Sequence, residues 1–416
     1  MTGAADQSLL AGSQPGAERH YLRQFDLFRA VACIGVVAQH SILWPVTGGA
    51  VVGWSLVMVL HATRESFFFL STFLAYRSQV LRPRSAVGLW RRRFGQVLVP
   101  YLAWTAIYFC YSMATAPQPF GPAMHTLGHD LVNGYYQLYF LIVLFQIYLV
   151  LPGLVWLVRV TRRHHALVLV VSLVLQLAMM TLSHYFSRRT GVLGTVRSID
   201  KTLITSRYIF GYQLYVVVAL LAADHLPQVQ GFVERHTRAI LLGAAGVGLA
   251  TEGYYAYGVA IGQAPGHASD LFQPVAAVWF LAAIAGLFAL GWRWAQRAAA
   301  RPPLRRDRLV TFLSDASGGF YLGHVLVLQA VLLGLGAVGL RAATSSWAPV
   351  GVVLFIVTVG VTAAMVGLLL RTRARFVLTG PVRSAERARM APYPGPAPGP
   401  APGAASAAAS ASAMAS

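Results

Sequence analysis

Arg29 and His40 stand eleven positions apart in an apolar run that follows Phe25-Asp26-Leu27. Eleven residues are almost three helical turns, so the two share a helix face and lie about 16 Å apart along its axis. One face thus offers a fixed cation for an anion and, deeper in, an imidazole able to take a proton near neutral pH. A snorkelling Arg and a structural His bonded to a neighbouring helix read the same spacing equally well. The next apolar run carries His61, Arg64 and Glu65. His61 and Glu65 are i,i+4 and share a face, with Arg64 on another. A carboxylate at such depth needs a partner, His40, Arg29 or Arg64, in a catalytic group or in a structural ion pair between helices. A later run holds Asp315 and then Ser317-Gly318-Gly319-Phe320-Tyr321-Leu322-Gly323-His324, where small residues permit close helix approach and His324 supplies a second imidazole.

The elements that must position these residues follow from composition. The chain has 416 residues, of which 56% are hydrophobic and 11% charged, with a formal net charge of +20. Mean hydropathy is +0.59. Soluble domains carry about 25% charged residues, so a soluble enzyme of this size is excluded, as is disorder except locally. A nucleic-acid binder reaches a high net positive charge through Lys and Arg on a polar surface, whereas here the cations sit between long apolar runs. The reading is an all-α polytopic membrane protein with no nucleic-acid partner.

Ten spans of about 20 mostly apolar residues are expected, near 25–44, 50–76, 94–114, 134–158, 165–183, 203–223, 239–260, 272–295, 309–334 and 349–370. With the N-terminus in the cytoplasm, 24 of the 33 cations fall on the cytoplasmic side. Only Arg188, Arg189, Arg197, Lys201 and Arg341 fall opposite, which favours both termini inside. The expected organisation is a polar N-terminal tail over 1–20, a transmembrane domain over 21–375 and a disordered Pro/Gly/Ala/Ser tail over 391–416. Residues 1–20 hold no apolar core of a signal peptide.

Other features carry weaker signals. Arg91-Arg92-Arg93 precedes Phe94 and Pro100-Tyr101; such a run marks topology and lipid headgroups, or binds phosphates. His125, His129 and Asp130 are spaced too loosely for a metal site and read as a solvated loop over 115–133. Glu252 with Tyr254, Tyr255 and Tyr257 lines an outward cavity or anchors the interface. Cys33 and Cys110 suggest neither zinc nor a disulfide, and no metal is expected.

Together these pieces resemble the acyltransferase 3 family of integral membrane acyltransferases over about residues 20–370. Carrying the resemblance are Arg29-x10-His40 after Phe25-Asp26-Leu27, then Phe67-Phe68-Phe69-Leu70-Ser71, and Arg93-Phe94 with Pro100-Tyr101. Leu138-Tyr139-Phe140 leading to Tyr148 and Pro152 follows, and Ser317 to Tyr321-Leu322-x-His324 closes the ordered set. The chain departs from the family at Ser71-Thr72-Phe73, often Ser-Gly-Phe, and at Gln137 and Tyr139, often His and Trp.

The resemblance implies transfer of an acyl group, commonly acetyl, from cytoplasmic acyl-CoA to a hydroxyl of a carbohydrate, cell-envelope glycan or secreted metabolite. Acyl-CoA is then a co-substrate, and no bound cofactor is expected. Arg29, Arg91, Arg92 and Arg93 would hold the CoA phosphates, His40 would be the general base, and Glu65 would orient its imidazole. His324 would donate to the thioester oxygen or hold the acceptor. The implied location is the plasma membrane. A transporter or flippase of a glycoconjugate or amphiphile is the alternative, against which stands the lack of a clear internal repeat. A sensor or scaffold that kept the fold without the chemistry is a third reading.

Overall fold

The computed structural model describes residues 20–44, 50–186, 207–337, 347–380 and 391–392. Helix dominates the described residues. The helices are α1 (Gln24–Leu43), α2 (Val51–Leu60), α3 (Ala62–Leu81), α4 (Ala86–Thr115), α5 (Phe120–Asn133), α6 (Tyr139–Val160) and α7 (His165–Thr181). They continue with α8 (Gln213–Asp224), α9 (Leu226–Ala260), α10 (Pro274–Ala299), α11 (Arg305–Ala337), α12 (Trp347–Leu369) and α13 (Arg375–Thr379). A two-residue parallel bridge joins His20–Tyr21 to Ala391–Pro392.

Local chemistry sets the helix ends. The Ser85 hydroxyl accepts from the Gly88 amide and caps α4. Proline in the first turn opens α9 and α10, where its missing N–H costs no helical bond. Gly134, at φ 77°, closes α5.

Among the described residues, seven helical stretches are long and apolar enough to cross a membrane: Gln24–Leu43, Ala86–Thr115, Phe120–Val160, Arg162–His184, Pro274–Ala299, Arg305–Ala337 and Val350–Leu369. Ile209–Asp224 and Leu226–Ala260, bent by 95°, make an eighth if counted together. This differs from the ten spans expected from sequence. The expected span over 50–76 is broken at His61 into two helices, and its second half carries Arg64 and Glu65 in the opening turn. The expected spans over 203–223 and 239–260 form the bent pair. The loop expected over 115–133 holds the helix α5, which leaves most of its side chains exposed between Pro119 and Gly134.

α1 is the central helix and packs against α2, α3, α10, α11 and α12. Its neighbours approach closely where side chains are small: a Cβ on Gly35 would lie 2.4 Å from Thr63 Cγ2. The core is rich in aromatic rings, with Phe25 meeting Phe73 and Phe288 edge to face at centroid distances of 4.9 and 5.5 Å. Outward faces are aliphatic, as in Leu167, Val170, Val171 and Val174 on α7 and Val352, Val353 and Ile356 on α12. That surface suits contact with lipid chains.

Of the charges that set the expected topology, Arg19, Arg188, Arg189, Arg197, Lys201, Arg341, Arg383, Arg387 and Arg389 lie outside the described residues, as do tails 1–19 and 393–416.

Candidate active site

His40 sits in the last turn of α1, and His324 lies within α11. The packing of α1 on α11 brings together two imidazoles 284 positions apart, with His40 Nδ1 2.7 Å from His324 Nε2. The rings lie within 1° of parallel. On the far side, His324 Nδ1 is 2.8 Å from the carbonyl of Phe320 and 2.9 Å from that of Tyr321.

These contacts assign the protons. Carbonyls only accept, so His324 Nδ1 carries hydrogen, and in the neutral ring Nε2 is then an acceptor. His40 must donate through Nδ1, which leaves the lone pair on His40 Nε2. Ring orientation and tautomer are thus set by the helix backbone behind His324.

His40 lines a cavity of about 40 Å³ with Val36, Gln39, Arg64, Gln137, Tyr139 and Tyr321 among its walls. That volume holds a water molecule or two and is too small for an acyl group and acceptor together. Arg64 supplies the positive charge. Its Nη2 and Nε lie 2.5 and 3.0 Å from Glu65 Oε1, and Nη1 donates to the Tyr139 hydroxyl at 3.1 Å. Its guanidinium carbon stands 5.0 Å over the Tyr212 ring. A buried guanidinium held by a carboxylate, a phenol and an aromatic face cannot swing away from the cavity.

Glu65 pairs with Arg64, its neighbour in the chain, and no described contact links it to His40. It is 1% exposed and its Oε2 has no hydrogen-bond partner. His61 bonds to the Val57 carbonyl at 2.6 Å in the break between α2 and α3. Arg29 is buried, with Nη1 3.7 Å from Asp26 Oδ1 and Nε without a hydrogen-bond partner. Asp26 accepts from Ser314 at 2.8 Å and from the Tyr21 hydroxyl, so it is shared. Arg91 and Arg92 are exposed at the start of α4, and Arg93 stands 5.5 Å over the Tyr148 ring. No described hydrogen bond, ion pair or ring contact joins Arg91–Arg93 to Arg29 or His40.

Glu252 accepts from the Ser55 hydroxyl and, with Tyr255, lines an open apolar cavity of about 430 Å³; Tyr254 and Tyr257 are exposed outside it.

Gln39, Arg64, Tyr139 and Tyr321 also reach the cavity, a placement that their spacing in the chain does not fix. The Tyr321 hydroxyl donates to the Gln137 carbonyl, which fixes the wall next to His40. The Ser317–His324 segment already held the signal for Tyr321, since Tyr321 and His324 are i,i+3 and share a helix face.

A search of curated proteins finds no match to this chain, and a search of solved structures finds none. The acyltransferase 3 family model, described as an acyltransferase domain, matches residues 22–367. That match spans α1 through nearly all of α12 and includes every residue that lines the His40 cavity. The chain belongs to the acyltransferase 3 family of membrane acyltransferases.

Proposed function

We propose that the protein transfers an acyl group, commonly acetyl in this family, from acyl-CoA to a hydroxyl of a carbohydrate, cell-envelope glycan or secreted metabolite. The observation that carries the reading is the His40–His324 pair, which leaves a free lone pair on Nε2 of a ring that lines the same cavity as the Arg64 guanidinium.

The cavity of about 40 Å³ must widen to admit both substrates, and the chemistry then runs in two steps. The acceptor O–H gives its proton to His40 Nε2 as its oxygen bonds to the thioester carbonyl carbon. The carbonyl electron pair moves onto oxygen, where Arg64 opposes the new negative charge. Collapse of the intermediate re-forms the carbonyl and breaks the C–S bond, and the CoA sulfur takes the proton from His40. General-base help of this kind contributes roughly 10²–10⁴-fold. His324 is a positioning residue, and Glu65 positions Arg64 in place of orienting His40.

Arg29 lies about 16 Å from His40 along α1, a spacing of the order of an extended pantetheine arm. Its unpartnered Nε and incomplete pairing with Asp26 support a role in holding an anionic group of the donor. Exposed Arg91 and Arg92 would attract CoA phosphates before binding. In this reading the chain crosses the plasma membrane ten times, with both termini cytoplasmic. The broken helix α2–α3, packed against α1, and each arm of the bent pair, Ile209–Asp224 and Leu226–Ala260, are then separate full crossings.

The test uses the purified full chain in lipid nanodiscs, given isotope-labelled acetyl-CoA and an extract of cells that lack the protein. CoA release together with a labelled, acceptor-linked acetyl ester is expected, and His40→Ala should abolish both. Equal ester formation by His40→Ala, or no CoA release with any short acyl-CoA, overturns the reading.

A further inference from the structure

A second pair of imidazoles lies far from His40, where two sharp corners of the chain meet. α6 ends at Val160, and a 3₁₀ turn over Arg162–His164 leads directly into α7 at His165. α8 ends at Asp224, and His225 alone separates it from α9, which leaves at 95°. His165 Nδ1 and His225 Nε2 are 2.8 Å apart with rings nearly perpendicular. A nitrogen from each ring and a carboxylate oxygen of Asp224 all fall within 4.8 Å of one another.

The surroundings of this cluster are those of a metal site. His165 Nε2 lies 2.8 Å from the Val158 carbonyl, which only accepts, so the proton is on Nε2 and the lone pair on Nδ1 points at His225. Ligating histidines characteristically donate their second N–H to such a carbonyl. Asp224 is held from behind by the Tyr76 hydroxyl at 2.6 Å, the matching outer contact for a ligating carboxylate. A hydrogen bond between the two imidazoles accounts for their approach, but it assigns no role to the carboxylate that converges on them.

We infer that His165, His225 and Asp224 bind a divalent transition metal, zinc by ligand chemistry, with water in the fourth position. Two imidazoles and one carboxylate suit zinc better than calcium or magnesium, which take oxygen ligands. Nitrogens bound at about 2.05 Å in a tetrahedron lie about 3.3 Å apart. The two rings therefore separate by about half an ångström on binding, with His225 carrying its remaining proton on Nδ1. Arg159 and Arg162, close enough to act on Tyr76 electrostatically, add positive charge nearby. That charge opposes a dication, so the Asp224 carboxylate is the compensating ligand and affinity rests on the two imidazole nitrogens. The ion would tie the α6–α7 corner to the α8–α9 corner, with α3 reached through Tyr76. Tyr76 is twelve residues along α3 from Arg64, about 18 Å, so this clasp is separate from the cavity of His40 and does not rest on the proposed reaction.

The experiment measures zinc in the full chain purified in nanodiscs, stripped with chelator, reloaded and desalted. Wild type should hold one equivalent more than His165→Gln/His225→Gln, a comparison unaffected by zinc bound elsewhere. Tyr76→Phe should weaken zinc binding roughly tenfold. Equal zinc in wild type and double variant overturns the assignment. Should the double variant fail to fold, cobalt(II) added to the stripped wild type decides the matter. Visible bands of tetrahedral cobalt that zinc displaces support the site, and their absence overturns it.

Discussion

His324 stands directly behind His40, its Nε2 2.7 Å from His40 Nδ1 and its own Nδ1 anchored on the carbonyls of Phe320 and Tyr321. The relationship has the logic of a base and its orienting partner, in which the partner holds the tautomer and steadies the charge that forms on the base. Here a second imidazole and two backbone carbonyls fill the place that a carboxylate takes in a catalytic triad. No ionised group is needed for it, which avoids the cost of burying an isolated carboxylate at that depth.

His40 and His324 therefore respond differently to substitution. His40→Ala should reduce kcat by roughly 10²–10⁴-fold. His324→Ala should lower kcat less, with the donor KM nearly unchanged, because it frees the tautomer without removing the base. His324→Gln, which can accept from His40 Nδ1, should recover part of the loss. Steady-state kinetics with the variants in nanodiscs checks this, and equal losses in His324→Ala and His324→Gln would assign His324 to packing alone.

Arg64 and Glu65 form a buried pair at 2.5 Å. Removing one partner of such a pair leaves a buried charge and costs about 3–5 kcal/mol. Glu65→Ala should lower the unfolding temperature clearly, while Glu65→Gln, which keeps an acceptor for Arg64, should lower it less. Arg64→Lys should keep the charge but lose the forked contacts to Glu65 and Tyr139, so kcat should fall more than the donor KM rises. Thermal unfolding followed by tryptophan fluorescence, paired with kinetics, separates the two effects.

Arg29 lies in the buried part of α1, and its Nε has no hydrogen-bond partner. Arg29→Ala should raise the donor KM by roughly tenfold or more, as for a lost charge-assisted hydrogen bond of about 1.5–3 kcal/mol. The acceptor KM should stay within about twofold. Isothermal titration with a non-hydrolysable acyl-CoA analogue measures the donor term directly. An unchanged donor affinity removes Arg29 from the donor site.

Gly291 tests the packing that holds α1 in place. A Cβ there would lie 2.3 Å from the Gln24 carbonyl oxygen, a backbone atom with no freedom to yield. Gly291→Ala should push α10 from the start of α1 and destabilise the fold by about 1–3 kcal/mol. Gly153→Ala in α6, where nothing lies within 4 Å of the new methyl, should leave the unfolding temperature unchanged or raised.

Helix periodicity placed Arg29 and His40 on one face, because that relationship is local to α1 and follows from 3.6 residues per turn. The same local geometry revealed His61 and Glu65 as i,i+4 neighbours, but it could not choose their partners. Glu65 lay within reach of three cations on paper, and the fold gave it Arg64, whose long side chain reaches back from the adjacent position. The break at His61 was also hidden, since Val51–Leu60 and the segment after Thr63 read as one apolar run.

By itself, the sequence determined that this chain is a helical membrane protein with an ordered set of acyltransferase 3 residues, because composition, apolar run length and ordered motifs are properties of the chain alone. Tertiary structure decided which imidazole serves the other. His40 and His324 are 284 positions apart, and no periodicity spans that distance. Only the packing of α1 against α11 brings the two nitrogens to 2.7 Å and thereby leaves the lone pair on His40 Nε2.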